Sequence, residues 1–355
     1  MNLTQPSMHR HSGRRTAIVL AVLGVALTAA IATSVAIGSP PHFPLPTHHQ
    51  VVYSPIQIIH ILAAGPSPDA ASQIIWEIRL PRAIASTLLG GSLALSGLLL
   101  QVFFDNPIAD PFVLGISSGA KLCVALLMIV VMGAGSVMTT WMSVAAAVTG
   151  SLLAMALVLA VSRRVRSRGT LIVAGVMIGY ICSAATNFLI AFADDQSIVN
   201  LHNWSLGSFS GTSWTDIVAI APTVAITAVA TFVLSKPLGA YQLGEDYAHS
   251  VGVNIRAFRS AIVMLSSIMS ACTVAFAGPI SFVGIAAPHL AKQALGTSKP
   301  IAVVPASFLM GALLCSACDL IARMLFSPVE LSVSAVTAVL GAPLVIWLMI
   351  KKRGL

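Results

Sequence analysis

Long apolar runs recur along the chain and leave it few charges for a water-facing surface. The stretch 79–120, RLPRAIASTLLGGSLALSGLLLQVFFDNPIADPFVLGISSGA, shows the pattern in full: an apolar run, a polar turn and a glycine-rich return into apolar sequence. Charged residues make up 8% of the chain and hydrophobic residues 57%, whereas soluble domains carry roughly 25% charged residues. The chain therefore has to face lipid, and the sequence predicts a multi-pass membrane protein.

The apolar runs predict an all-α bundle, because they lack the period-two alternation of a membrane barrel. Each helix needs about 20 apolar residues to cross a bilayer. We predict a single domain, 16–350, between a basic tail, 1–15, and a short end, 351–355. The first run is too long for a signal-peptide core and has no convincing cleavage site. Ten transmembrane helices are predicted, at 16–37, 82–103, 115–133, 141–161, 170–192, 216–234, 257–277, 280–295, 301–325 and 331–350.

Positive charges orient the predicted spans, since cytoplasmic loops are enriched in lysine and arginine. With a cytoplasmic N-terminus, 15 of the 19 lysines and arginines fall inside, and Lys121 lies near an inner helix end. Only Arg79, Arg82 and Arg323 fall outside. We therefore expect both termini in the cytoplasm, and we attribute the net charge of +8 to topology rather than to nucleic-acid binding.

Three longer polar segments connect the runs. Residues 38–78 read as an exposed loop with one short amphipathic helix near Ile56–Ala64. The segment 193–215 contains no lysine or arginine and is expected outside, with a short helix over Ile198–Ser208. The segment 236–254 is expected inside, and its glycines predict two short helices joined by a hinge.

The chain contains no motif for its own catalysis. It has no GxxxxGK[ST] phosphate loop, no HExxH and no GxSxG. Its five cysteines all lie in apolar runs, and we assign no redox role to the pair Cys315 and Cys318 because a reactive thiol needs a more exposed, electropositive site. We expect no enzyme activity, no bound metal and no cofactor in this chain.

Polar residues inside spans are functional candidates. Asp319 and Arg323 stand four residues apart, which fits either a local ion pair or a functional site. Glu330 precedes the last span, where a carboxylate favours the helix dipole, and His289 fits a helix end. Small residues such as Gly90, Gly97 and Gly284 favour close helix packing.

Several separated motifs together resemble the FecCD-type permease subunits of type II ABC importers, which take up iron-siderophores, haem and vitamin B12. The resemblance covers the chain from about residue 55 onward. Lys292 stands where the family usually has arginine, and Ser332 where proline is usual. The motifs are RLPR (79–82), SGLLLQVFFDNPIADPFVLGISSGA (96–120), AGVMIG (174–179), GPISFVGIAAPHLAK (278–292) and ACDLIARMLFSPVELSVSAVTAVLGAPLVIWLM (317–349).

The resemblance implies a homodimer of ten-helix subunits in the cell membrane. Two ATP-binding subunits, which hold ATP and Mg, would dock from the cytoplasm, and a substrate-binding protein from outside. Arg79, Arg82 and Arg323 would dock the binding protein, and Leu243–Gly252 would couple to the ATPase through Leu243, Gly244, Glu245, Ala248 and Gly252. The resemblance also marks motif positions with a structural role: Pro81, Gln101, Asn106, Pro107, Asp110, Pro111, Gly115, Gly278, Pro279, Pro288, His289, Asp319 and Glu330.

The sequence thus predicts the permease subunit of an importer for a metal chelate. We expect an iron(III)-siderophore as cargo, with haem and cobalamin as alternatives. A secondary transporter driven by an ion gradient is the alternative from another class, but it would need charged residues near the bilayer midplane, and the sequence offers no convincing set.

Overall fold

A computed structural model of the protein describes residues 7–38, 51–132, 139–162, 164, 168–327 and 329–352. Expectations that rest on residues 1–6, Arg163, Arg166 or Arg353 lie outside this part of the chain. The described residues are mostly helical, as predicted. Two short strands, β1 (Ile37–Gly38) and β2 (Val51–Val52), pair antiparallel.

Fifteen α-helices follow one another along the described residues. They are α1 Ser7–Ala36, α2 Pro55–Ala64, α3 Ala70–Gln73, α4 Leu80–Phe104, α5 Ile116–Leu126, α6 Thr140–Ser162, α7 Arg168–Ile190, α8 Asp195–Ser205, α9 Trp214–Val233, α10 Ser235–Gln242, α11 Glu245–Ser250, α12 Ile255–Ala277, α13 Val283–Leu295, α14 Pro300–Met324 and α15 Val333–Lys352. A π-helical segment, Ile74–Arg79, joins α3 to α4, a second, Leu127–Met132, extends α5, and a 3₁₀ turn, Pro111–Leu114, precedes α5.

Seven helices in the described residues are long and apolar enough to cross a membrane. They are 13–36, 70–104, 141–161, 169–190, 214–233, 255–277 and 300–324. The other three predicted spans correspond to α5 and α15, whose apolar helical stretches are shorter, and to α13. The 13 residues of α13 reach only about 20 Å, less than the roughly 30 Å of a bilayer core. The count of ten spans and the cytoplasmic termini stay predictions.

Two helices begin well before the residue that the sequence indicated. α1 begins at Ser7, because the basic residues before the apolar run are good helix formers and no proline interrupts them. The helix expected from residue 82 begins at Ala70 and continues through the π-helical segment into α4. Pro81 lies just after that segment. Proline has no N–H to donate, and its ring pushes away a carbonyl of the preceding turn. A π-helical turn is wider than an α-helical turn and accommodates both effects.

Helix α4 is the centre of the bundle, because 83% of the residues in its most apolar part are buried. It packs against α12, α13 and α14. A Cβ atom on Gly97 would overlap the backbone of Gly284 in α13, and one on Gly90 would overlap Gly311 and Cys315 in α14. The small residues therefore allow backbone-to-backbone packing, as the sequence predicted.

This packing predicts that Gly97→Ala destabilises the protein although alanine favours helices. Overpacking costs about 1–3 kcal/mol, so we expect a lower midpoint of thermal unfolding in detergent. Gly24→Ala is the matched control, because Gly24 lies in α1 with open space around its Cα. An unfolding midpoint for Gly97→Ala equal to that of Gly24→Ala would contradict the close α4–α13 contact.

Candidate functional site

Arg82, in the first turn of α4, binds two carboxylates at once. Its Nε and Nη2 donate to Asp319 of α14, with Nη2 at 2.9 Å from Oδ1. Its Nη1 donates to both oxygens of Glu330, each at 3.1 Å. The planar guanidinium suits this double engagement. Arg82 thus ties α4 to α14 and to the segment 329–332 that leads into α15.

Arg323 shares the same carboxylate. Its Nε lies 3.4 Å from Asp319 Oδ2, one helical turn away, so the i,i+4 ion pair that the sequence allowed is formed. Its Nη2 also donates to the carbonyl of Ser34 at 3.2 Å and to the Ser34 hydroxyl at 2.8 Å. Asp319 therefore links α14 through Arg323 to the end of α1.

Arg79 holds the C-terminal end of α1. Its Nη1 donates to the carbonyls of Val35 and Ala36, both at 2.8 Å, and its Nη2 to that of Gly38 at 3.3 Å. Its guanidinium carbon lies 5.1 Å from the ring centroid of Tyr53. A cation favours the negative end of a helix, so this arginine stabilises the chain where α1 ends.

We call Arg79, Arg82, Asp319, Arg323 and Glu330 the arginine cluster. The three arginines are only 2%, 6% and 3% exposed, and Asp319 is fully buried. Glu330 is the accessible member, with a side chain 34% exposed. The sequence missed the pairings of Arg82 with Asp319 and with Glu330. The signal for them was that three arginines and two acids fall near one end of the predicted spans, where buried charges need partners.

Asp319→Asn should destabilise the protein far more than Glu330→Gln. Removing one partner of a buried pair costs about 3–5 kcal/mol, whereas the pair of Arg82 with the 34% exposed Glu330 is screened by solvent and is expected to contribute about 1 kcal/mol. Thermal unfolding of both variants in the same detergent measures the difference. Equal decreases in the unfolding midpoint would show that the two carboxylates stabilise the protein equally.

A cavity of about 450 Å³ lies at the opposite end of α4. Two of its lining residues are joined, as Lys292 Nζ lies 3.4 Å from Gln101 Oε1. The Gln101 amide donates to the carbonyls of Gly284 and Ile285, so Gln101 ties α4 to α13. The cavity, here the coupling cavity, is lined by Gln101, Val102, Asp105, Asn106, Pro107, Tyr241, Gln242, Leu243, Gly244, Lys292 and Ser298.

The turn after α4 is built by its own side chains. Asn106 Oδ1 accepts from the amide of Ile108, and Asp110 Oδ1 accepts from that of Phe112 at the start of the 3₁₀ turn. Pro111 opens that turn, and Gly115, with φ of +76°, ends it before α5. In this stretch Asn106, Asp110, Pro111 and Gly115 shape the turn between α4 and α5.

The segment 236–254 forms two short helices, α10 and α11, with Gly244 between them, as predicted. Gly244 has φ of +123° and Gly252 of +89°, with open space around both. Ala248 is buried, whereas Leu243, Tyr247 and Val251 are exposed. Glu245 pairs with Arg259 of α12 at 2.7 Å. The segment is anchored on one side and presents apolar side chains on the other.

The loops beside α8 contain a helix cap and two glycines in close contact, and the other motif residues lie in α13. Asp194 caps α8, and its bonds from the Ser197 hydroxyl and amide hold the pKa of Asp194 below its usual range. Gly278, with φ of +72°, packs against Gly207 and Trp204. Gly207 also packs on the Pro279 carbonyl. Pro288 is buried within α13, and the neighbouring His289 is half-buried.

The long apolar helices of this fold are those of a multi-pass helical membrane protein. The described residues contain no group of three or more His, Cys, Asp or Glu that could hold a metal ion. The sequence matches the FecCD transport family over residues 47–351. The chain therefore belongs to this family of ABC-importer permeases, in which separate subunits hydrolyse ATP. It is a multi-pass protein of the cell membrane.

Individual relatives agree with this assignment. The chain is 34% identical over 286 residues to the hemin transport system permease protein HmuU of Yersinia pestis, covering 80% of this chain and 85% of that one. It is 37% identical over 283 residues to the vitamin B12 import system permease protein BtuC of Klebsiella pneumoniae, covering 79% and 83%. A solved structure, described as an inward-facing conformation of an ABC transporter assigned to the metal-chelate type, is similar with a TM-score of 0.79 and 27% identity, covering 94% and 99%.

Proposed function

We propose that this permease forms the membrane path of an importer for a metal chelate. A substrate-binding protein delivers the chelate at the end with the arginine cluster, and ATPase subunits act at the end with the coupling cavity. The observation that carries the proposal is the family match over residues 47–351, together with relatives that import haemin and vitamin B12. The two ends lie about 37 Å apart along the 25 residues of α4.

An iron(III)-siderophore remains our proposed cargo. The names of the relatives support haem and cobalamin as alternatives within the same class of large metal chelates. A secondary transporter is less well supported, because the buried Asp319 in α14 is already paired with two arginines and is therefore poorly placed to carry protons.

We propose that α7 faces the path in a homodimer. One stripe of α7 is exposed in the single subunit and includes Met177, Tyr180, Ser183 and Asn187. Polar side chains in an apolar span usually face the bundle interior or a water-filled cavity rather than lipid. A second copy of the chain, with the path between the two, would provide that environment.

The segment Leu243–Gly252 is our proposed coupling element. Its exposed Leu243, Tyr247 and Val251 form an apolar face beside the coupling cavity. An exposed apolar face rimmed by polar residues is typical of a protein contact. The pair Glu245–Arg259 joins this segment to α12, which packs on α4, so a force on the segment reaches the central helix.

The proposed function predicts ATP-dependent uptake in liposomes that contain the permease and its ATPase subunits. With the binding protein present, we expect one of three labelled cargoes, a ferric siderophore, haem or cobalamin, to accumulate. Uptake should stop without ATP and should persist when ion gradients are collapsed. Uptake that needs an ion gradient but no ATP would instead support the secondary transporter.

Gly244→Val should uncouple ATP hydrolysis from uptake. A β-branched residue is strained at φ of +123°, at a cost of about 1–3 kcal/mol, so the hinge between α10 and α11 is expected to shift. Gly211→Val is the control, since Gly211 has φ of +81° and open space but lies in the loop before α9. Normal uptake per ATP hydrolysed in Gly244→Val would place the coupling element elsewhere.

A further inference from the structure

The two carboxylates on Arg82 differ in how firmly they are held. Asp319 lies on the helical framework of α14 and is fully buried. Glu330 lies in the non-helical segment 329–332 and keeps a third of its side chain in contact with solvent. The Nη1 side of the Arg82 guanidinium is therefore held by an accessible carboxylate, and the Nε–Nη2 side by a buried one.

The backbone around Glu330 is anchored although its side chain is accessible. The amide of Leu331 donates to the Ala322 carbonyl at 3.0 Å, and that of Val333 to the Gly207 carbonyl at 3.1 Å. The neighbouring Leu325, Phe326 and Val329 are 62%, 59% and 65% exposed. Glu330 thus lies beside exposed apolar side chains, a composition found where a chain contacts another protein or the membrane.

The other arginines of the cluster are engaged differently. Arg79 donates to backbone carbonyls at the end of α1, and Arg323 donates to Ser34 while it pairs with Asp319. A carboxylate from another protein could not replace carbonyls that belong to the fold. Arg82 Nη1 donates directly to both oxygens of the accessible Glu330, and Asp319 would still balance the Arg82 charge if that carboxylate left.

We propose that Glu330 is an internal substitute for the carboxylate of the docking protein. It holds Arg82 Nη1 in the resting permease and is displaced when an acidic side chain of the substrate-binding protein binds there. This inference rests on the docking role proposed for the arginine cluster. Because the Glu330 side chain is 34% exposed, solvent screens its pair with Arg82 more than the buried pair with Asp319, so the exchange costs little free energy. Docking would release Glu330 from Arg82, three residues before α15 begins at Val333.

Chemical modification of arginine tests the first half of the proposal without a partner. The permease is placed in lipid nanodiscs and treated with phenylglyoxal, and modification of each arginine is measured by mass spectrometry. Glu330→Gln and Glu330→Ala should raise the rate at Arg82 and leave Arg79 and Arg323 protected. Glu77→Gln is the matched control, because Glu77 is an exposed glutamate on the same helix, two residues before Arg79. An unchanged rate at Arg82 in both Glu330 variants would overturn the proposal.

Docking measurements test the second half. The cargo-loaded binding protein of this importer is titrated onto the nanodiscs, and its affinity is measured by biolayer interferometry. Loss of the internal competitor should tighten docking about two- to fivefold in the Glu330 variants, and the gain should exceed any change in Glu77→Gln. Affinity that is unchanged or weaker than that of the wild type would overturn the proposal.

A further variant separates this inference from the docking assignment beneath it. Arg82→Gln in the Glu330→Gln background should lose the gain in affinity, with its folding checked by thermal unfolding. If Arg82→Gln weakens docking but Glu330→Gln does not tighten it, the internal substitute is disproved and the docking site stands. If neither change alters docking, the docking role of Arg82 is itself disproved.

Discussion

One buried carboxylate, Asp319, determines how one end of the bundle is assembled. It accepts hydrogen bonds from Arg82 of α4 and pairs with Arg323 of its own helix, which in turn reaches Ser34 of α1. An ion inside a membrane protein is costly unless it is paired. The ion pairs of Asp319 therefore hold together three helices that are distant in sequence. Glu330 adds a further, partly exposed pair with Arg82.

Helix α4 connects this cluster to the opposite end of the protein. Gly90 and Gly97 allow α14 and α13 to approach its backbone, so it is clamped on several sides. Gln101, near its far end, bonds to α13 and lines the coupling cavity. A close-packed helix of this kind transmits displacement rather than absorbing it. It offers a direct physical link between the proposed docking surface and the proposed coupling element.

Hydropathy and charge predicted much of this fold. These patterns predicted the long apolar helices, the paired short helices around Gly244 and the tight glycine packing, and they allowed the ion pair of Asp319 with Arg323. Hydropathy did not reveal that the helix before Arg82 begins at Ala70, because that segment is not a continuous apolar run. Nor did it show which polar groups meet, since Arg82 and Asp319 are 237 residues apart. The three arginines that charge placement assigns to the outer side are buried among helix ends, and whether they dock a partner stays a prediction.

The proposed exchange requires that Asp319 holds Arg82 firmly and that Glu330 holds it weakly. Double-mutant cycles on thermal unfolding, with Arg82→Gln combined with Asp319→Asn or with Glu330→Gln, test it most directly. We predict a coupling energy of about 2–3 kcal/mol for Arg82 with Asp319 and below about 1 kcal/mol for Arg82 with Glu330. Equal coupling energies, or a larger one for Glu330, would contradict this account.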